Sequence, residues 1–78
     1  MKHIESYDTF YNEKQNLIEL AYHETGDNRY AYHEVIYQHK NTGEIWMCVT
    51  KSDGRGGQCF YERYDSKQEI HDILNRCK

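Results

Sequence analysis

Apolar and polar positions in the first third of the chain alternate at helical intervals. Three apolar residues share one face at these intervals, and they are Phe10, Leu17 and Ala21. Polar residues lie on the opposite face, which is the pattern of an amphipathic helix. Ser6 or Asp8 is suited to cap its start and Gly26 to end it. The pattern therefore predicts a helix from about residue 8 to residue 23.

The pattern changes after a break at residues 26–28. Three segments rich in β-branched and aromatic residues follow, and they are Tyr30–Tyr37, Ile45–Thr50 and Cys59–Tyr64. Such composition favours strands. The connection at residues 40–43 ends in Gly43, which suits the left-handed position of a hairpin turn. Residues 52–57 are rich in glycine and predict a second turn.

A second helix is predicted at the end of the chain. Ser66 and Glu69 have the spacing of a capping box, in which each side chain bonds to the backbone N–H of the other residue. The apolar residues that follow lie at helical spacing, and they are Ile70, Ile73, Leu74 and Cys77. They predict an amphipathic helix of about three turns.

These elements predict one α+β domain over residues 1–78. Its order is α-β-β-β-α, with a three-stranded antiparallel sheet packed by two helices. The middle strand directs Ile45, Met47 and Val49 to one face and Trp46 and Cys48 to the other. Either a helix covers each face, or the aromatic face is left for a partner.

Composition limits the classes of protein that the chain can represent. With 78 residues, of which 29% are charged, it has room for one small core. This excludes a multidomain enzyme, and no window is apolar enough to span a membrane. The net charge is −3, and residues 1–28 carry six acidic and only two basic residues. An acidic segment suits a partner with a basic surface better than nucleic acid.

The three cysteines are an odd number and do not form a disulfide framework. No apolar run of signal-peptide length is visible near the start. We therefore expect a cytoplasmic location with three thiols. Zinc would need closely paired ligands, which neither Cys48 and Cys59 nor the five scattered histidines supply. We expect no metal, no cofactor and no catalytic residue.

The order of the elements is similar to two nucleic-acid-binding families. The Gly54–Arg55 pair, the third strand and the helix opening after Tyr64 resemble the layout of the WGR domain. Asp53 stands where that family has its defining tryptophan. The α-β-β-β-α order also resembles the double-stranded-RNA-binding domain, whose paired basic residues are represented here only by Lys67.

The sequence favours a non-catalytic protein-binding module. In size and composition the chain resembles phage-encoded inhibitors of host machinery, including anti-CRISPR proteins. Such a module would block a nucleic-acid-handling complex sterically, with acidic residues in a basic groove and aromatic residues as anchors. The candidate contact residues are Glu13, Glu19, Glu24, Tyr30, Tyr32, Trp46 and Tyr61.

The alternative is a nucleic-acid-binding module that uses the sheet and a basic hairpin. Lys51, Arg55 and Arg63 lie on or next to the glycine-rich turn and are suited to phosphate contacts. The sequence leaves open whether the chain is a monomer or a homodimer that pairs the aromatic face of its middle strand.

Overall fold

Five strands form one antiparallel sheet in the computed structural model, which describes residues 2–26 and 29–77. The strands are β1 (Lys2–Glu5), β2 (Leu17–Gly26), β3 (Ala31–His39), β4 (Ile45–Ser52) and β5 (Gly57–Tyr64). Their order across the sheet is β1-β5-β4-β3-β2. Two helices, α1 (Tyr7–Glu13) and α2 (Lys67–Arg76), accompany the sheet, and a 3-10 turn at Lys14–Asn16 joins α1 to β2.

The α+β class is confirmed, but the expectation of a three-stranded sheet is wrong. The three predicted strands are present as β3, β4 and β5, with bounds that differ by up to two residues. The two additional strands, β1 and β2, lie at the two edges of the sheet. Residues 27 and 28 of the predicted break lie outside the described residues.

The predicted helix over residues 8–23 is correct only in its first half. From Leu17 onward the chain is a strand that pairs with β3 from Leu17↔His39 to Gly26↔Ala31. A bulge lies between Glu19 and Ala21. It shifts the alternation of side chains by one residue, so that the segment lacks a continuous period of two. The tertiary context of the sheet, in which this segment pairs with β3, overrides the local helical pattern.

The hairpin between β3 and β4 forms as expected. The backbone N–H of Gly43 donates to the carbonyl oxygen of His39 (2.9 Å), and the N–H of His39 donates to the carbonyl of Glu44 (2.8 Å). Gly43 has φ of 80°, the left-handed conformation that glycine adopts without steric cost. The turn therefore fixes the register of the two central strands.

One face of the sheet packs against α2. Ile36, Ile45, Met47 and Val49 are buried there together with Ile73 of the helix. The predicted apolar face of the last helix is confirmed, since Ile70, Leu74 and Cys77 pack on this core. We call this side of the sheet the α2 face.

The opposite side, the α1 face, is covered only in part. Phe10 of α1 is buried against an aromatic cluster in which its ring centroid lies 5.7 Å from Tyr37, 6.3 Å from Trp46 and 4.7 Å from Tyr61. The first of the two alternatives for the middle strand is therefore observed: a helix packs on each side of it. Because α1 has only seven residues, it leaves the remainder of this face open.

The two helices begin at caps of different kinds. The hydroxyl oxygen of Ser6 accepts a hydrogen bond from the N–H of Thr9 (3.2 Å) and caps α1. Ser66 occupies the cap position of α2, but its side chain forms no capping hydrogen bond. The start of the last helix is thus predicted correctly, whereas the capping bond expected from the Ser66 side chain is absent.

Candidate protein-interaction surface

Strand β2 provides ten residues of sheet edge. No other strand formed by residues 2–26 and 29–77 pairs with its outer side. The opposite edge strand, β1, has only four residues. An unpaired edge presents backbone N–H and C=O groups on which an extended segment of another chain can align. This makes β2 the principal backbone-binding feature of the fold.

The side chains of β2 expose large apolar area beside that edge. Ile18 is 54% exposed, Leu20 36% and Tyr22 51%. Ile18 is paired with Gln38 on the α2 face and Tyr22 with Val35 on the α1 face, so the edge strand exposes apolar side chains on both sides of the sheet. Sequence reasoning missed them because it assigned this segment to a helix. We call Ile18, Glu19, Leu20, Tyr22 and Glu24 the β2 surface.

Two of the predicted acidic contact residues lie on the β2 surface. Glu19 is paired with Tyr37 and Glu24 with His33, so both side chains lie on the α1 face. Both are exposed. Tyr22 lies between them on that face, and its hydroxyl is 2.7 Å from Nδ1 of His33 and 3.3 Å from a carboxylate oxygen of Glu24. Desolvation, together with Glu24, raises the pKa of Tyr22.

The third acidic residue, Glu13, has a structural role at the end of α1. Its carboxylate lies 2.7 Å from Nε2 of His39 and accepts a hydrogen bond from the side-chain amide of Asn16 (3.3 Å). The hydrogen bond with His39 is the larger cause, and that from Asn16 the smaller, of the lowered pKa of Glu13. The carboxylate is therefore held within the molecule and is less available to a partner than Glu19 or Glu24.

The predicted aromatic contact residues do not converge on one surface. Trp46 is 3% exposed and lies beneath Phe10, so it supports the surface rather than forming it. Tyr61 is half-buried on the α1 face, whereas Tyr32 packs against the core of the α2 face. Tyr30 precedes β3 and is 45% exposed.

The three basic residues of the alternative site are also separated. Lys51 lies 5.8 Å from the ring centroid of Phe60, on the α2 face. Arg63 lies on the α1 face and forms ion pairs with Glu5 (2.9 Å) and Glu44 (2.6 Å), which raise its pKa. Its charge is thus neutralised within the fold. Lys51 and Arg55 remain together, lining an open concavity of about 430 Å³ at the β4–β5 turn.

Two features are not found among the described residues: a metal site and a membrane-spanning helix. No group of three or more His, Cys, Asp or Glu residues in this part of the chain is arranged to hold a metal ion. Neither described helix has the length and apolarity needed to cross a membrane.

Comparison with models of known protein families, with curated proteins and with solved structures finds no match to this chain. Function is therefore inferred from the chain's own residues.

Proposed function

We propose that the chain is a non-catalytic protein-binding module that docks through the β2 surface onto a partner with a basic surface. The observation that carries the proposal is the ten-residue outer edge of β2, which no strand among the described residues pairs with and which exposed apolar and acidic side chains flank. Strand addition supplies affinity through main-chain hydrogen bonds, while side chains select the partner.

The charges of the β2 surface define the chemistry of the partner. Glu19 and Glu24 lie on the same face, separated by the aromatic ring of Tyr22. A strand or groove that carries lysine or arginine complements this arrangement, since opposite charges speed the encounter. Burial of Tyr22 and Leu20 then slows dissociation.

The biological role that fits this chemistry is steric inhibition. Basic grooves are typical of complexes that handle nucleic acid, because they bind the phosphate backbone. A small acidic module that fills such a groove excludes the nucleic acid. We therefore propose a cytoplasmic inhibitor of the phage or mobile-element type, with anti-CRISPR-like action, that needs no cofactor.

The test is affinity capture from a host-like lysate, with and without nuclease, and identification of the captured proteins by mass spectrometry. The proposal expects one protein or complex in stoichiometric amount after nuclease treatment. Capture that disappears with nuclease would instead favour nucleic-acid binding through Lys51 and Arg55, which share the β4–β5 concavity. That outcome would be checked by Arg55→Ala and by the salt dependence of binding.

Matched variants distinguish the β2 surface from the remainder of the molecule. Glu19→Lys and Glu24→Lys should each weaken the captured complex by about threefold to tenfold at low salt. Asp72→Lys is the control, because it makes the same change of charge on α2. Leu20→Ala should weaken binding, whereas Ile4→Ala, which truncates an exposed aliphatic residue on the opposite edge, should not. An equal loss of binding in variant and control would show that the partner does not dock on the β2 surface.

A further inference from the structure

Two thiols meet on the open part of the α1 face. Cys48 of β4 is opposite Tyr61, and Cys59 of β5 is opposite Thr50, so the cysteines are diagonal neighbours on one face. Their sulfur atoms are 3.6 Å apart. Cys48 is half-buried, whereas Cys59 is exposed. Cys59 is therefore the more accessible of the two to a reagent from solvent.

Hydrogen-bond donors converge on the exposed sulfur. The hydroxyl of Thr50 donates to Sγ of Cys59 over 3.7 Å, and Sγ of Cys48 lies 3.6 Å from the same atom. The nearby hydroxyl of Tyr61 acts to lower the pKa of Cys59. Such donors stabilise a thiolate, which is the nucleophilic form of cysteine.

The two thiols differ in the direction in which their pKa values are shifted. Desolvation raises the pKa of Cys48 to about 11, so its proton stays in place and its S–H acts as a donor. Desolvation also acts to raise the pKa of Cys59, but the effects of Tyr61, Thr50 and Cys48 outweigh it and lower that pKa from its ordinary value. These shifts favour the thiolate of Cys59 over that of Cys48.

We propose that Cys59 is a thiol-exchange site that takes low-molecular-weight disulfides, and that Cys48 is its positioning residue. The Cys59 thiolate attacks one sulfur of R–S–S–R and forms the bond Cys59–S–S–R. The original S–S bond breaks, and the released RS⁻ takes a proton from solvent. Cys59 is oxidised and the released thiol is reduced, so that atoms and electrons balance.

The register of the sheet stops the reaction at the mixed disulfide. Diagonal neighbours in an antiparallel sheet have Cα atoms roughly 7–8 Å apart. Disulfides bridge Cα atoms up to about 6.8 Å apart, so closure between Cys48 and Cys59 would require β4 and β5 to shift. The site is independent of the β2 surface and of the proposed function.

The test treats the folded protein with oxidised glutathione at pH 7 and follows adducts by mass spectrometry of peptides. Cys77, half-buried against the α2 core, is the internal control. The proposal expects one adduct per chain, on Cys59, formed at least about tenfold faster than on Cys77. Cys59→Ser should abolish it. Equal rates at both cysteines, or a Cys48–Cys59 disulfide in place of the adduct, would overturn the proposal.

Variants that remove single donors test the positioning role. Thr50→Val and Cys48→Ala each remove a group that contacts Sγ of Cys59, and Tyr61→Phe removes a hydroxyl that lowers the pKa of Cys59. Each should shift the pH dependence of the exchange rate towards higher pH, because the thiolate loses a donor. A folded variant is recognised by unchanged emission of the single tryptophan, Trp46. Unchanged pH profiles in all three folded variants would contradict the role assigned to these donors.

Discussion

Nε2 of His39 lies 2.7 Å from the carboxylate of Glu13 and ties the end of α1 to the end of β3. The other ring nitrogen, Nδ1, accepts hydrogen bonds from the backbone N–H groups of Asn41 (3.2 Å) and Thr42 (3.3 Å). This pattern assigns the ring proton to Nε2, which donates to Glu13. One buried imidazole thus holds together a helix end, a strand end and the hairpin that follows.

The first prediction concerns stability in acid. The pKa of Glu13 is lowered in the folded state. Its contribution to the stability of the fold is therefore fully present above about pH 4.5, the ordinary pKa of the group. This contribution is lost as the pH falls through the lowered pKa of the folded state. Glu13→Gln keeps an acceptor for His39 but does not titrate. Urea midpoints between pH 7 and pH 3 should therefore fall less steeply in the variant than in the wild type. An equal fall of the urea midpoint with pH in both proteins would contradict the stabilising role of the Glu13 carboxylate.

The second prediction compares the two serine caps. Ser6→Ala removes the bond to the N–H of Thr9 and should lower the free energy of unfolding by about 0.5–2 kcal/mol. Ser66→Ala removes no capping bond and should change it by less. Chemical denaturation of both variants measures the difference. A larger loss for Ser66→Ala would show that the capping box forms after all.

The third prediction uses Trp46 as a reporter of α1. Phe10→Ala removes the ring that covers the indole and should cost about 3–5 kcal/mol of stability. Fluorescence of the folded variant should shift to longer wavelength as water reaches Trp46. Ile73→Ala, which opens a cavity on the α2 face, is the control. It should destabilise the protein without this shift in the folded state.

The fourth prediction contrasts two glycines with positive φ. A Cβ at Gly26 (φ 136°) would overlap the carbonyl oxygen of Tyr30, whereas a Cβ at Gly43 (φ 80°) meets no atom within 4 Å. Gly43→Ala should cost about 1–2 kcal/mol from conformation alone. Gly26→Ala should cost more, because a clash with backbone adds to the strain. Thermal unfolding of both variants measures the order, and the reverse order would contradict the geometry.

The central strands and the last helix could be predicted because their local patterns agree with their surroundings. The apolar residues of α2, such as Ile70 and Ile73, have one period along the whole helix. In β3 and β4, β-branched and aromatic residues lie between recognisable turns. Local preference and tertiary packing therefore favour the same structure.

The edge strands could not be predicted for physical reasons. The bulge at Glu19/Ala21 interrupts the alternation in β2, and Phe10 and Leu17 happen to continue a helical spacing. Strand β1 has four residues and buries none, so it leaves no hydrophobic pattern. The acidic residues Glu19 and Glu24 were predicted as contact residues from composition, and that role stays a prediction, whereas the exposed apolar residues of β2 required knowledge of the sheet order.

The most direct test of docking through β2 is hydrogen exchange of the backbone amides, in the free protein and in the captured complex. In the free protein no strand in the part of the chain that the structure describes pairs with the outward N–H groups of residues 17–26, so they should exchange rapidly. Strand addition predicts that these amides become protected in the complex, while those of α2 are unchanged. Protection confined to the β4–β5 turn or to α2, with β2 still exchanging freely, would contradict the account.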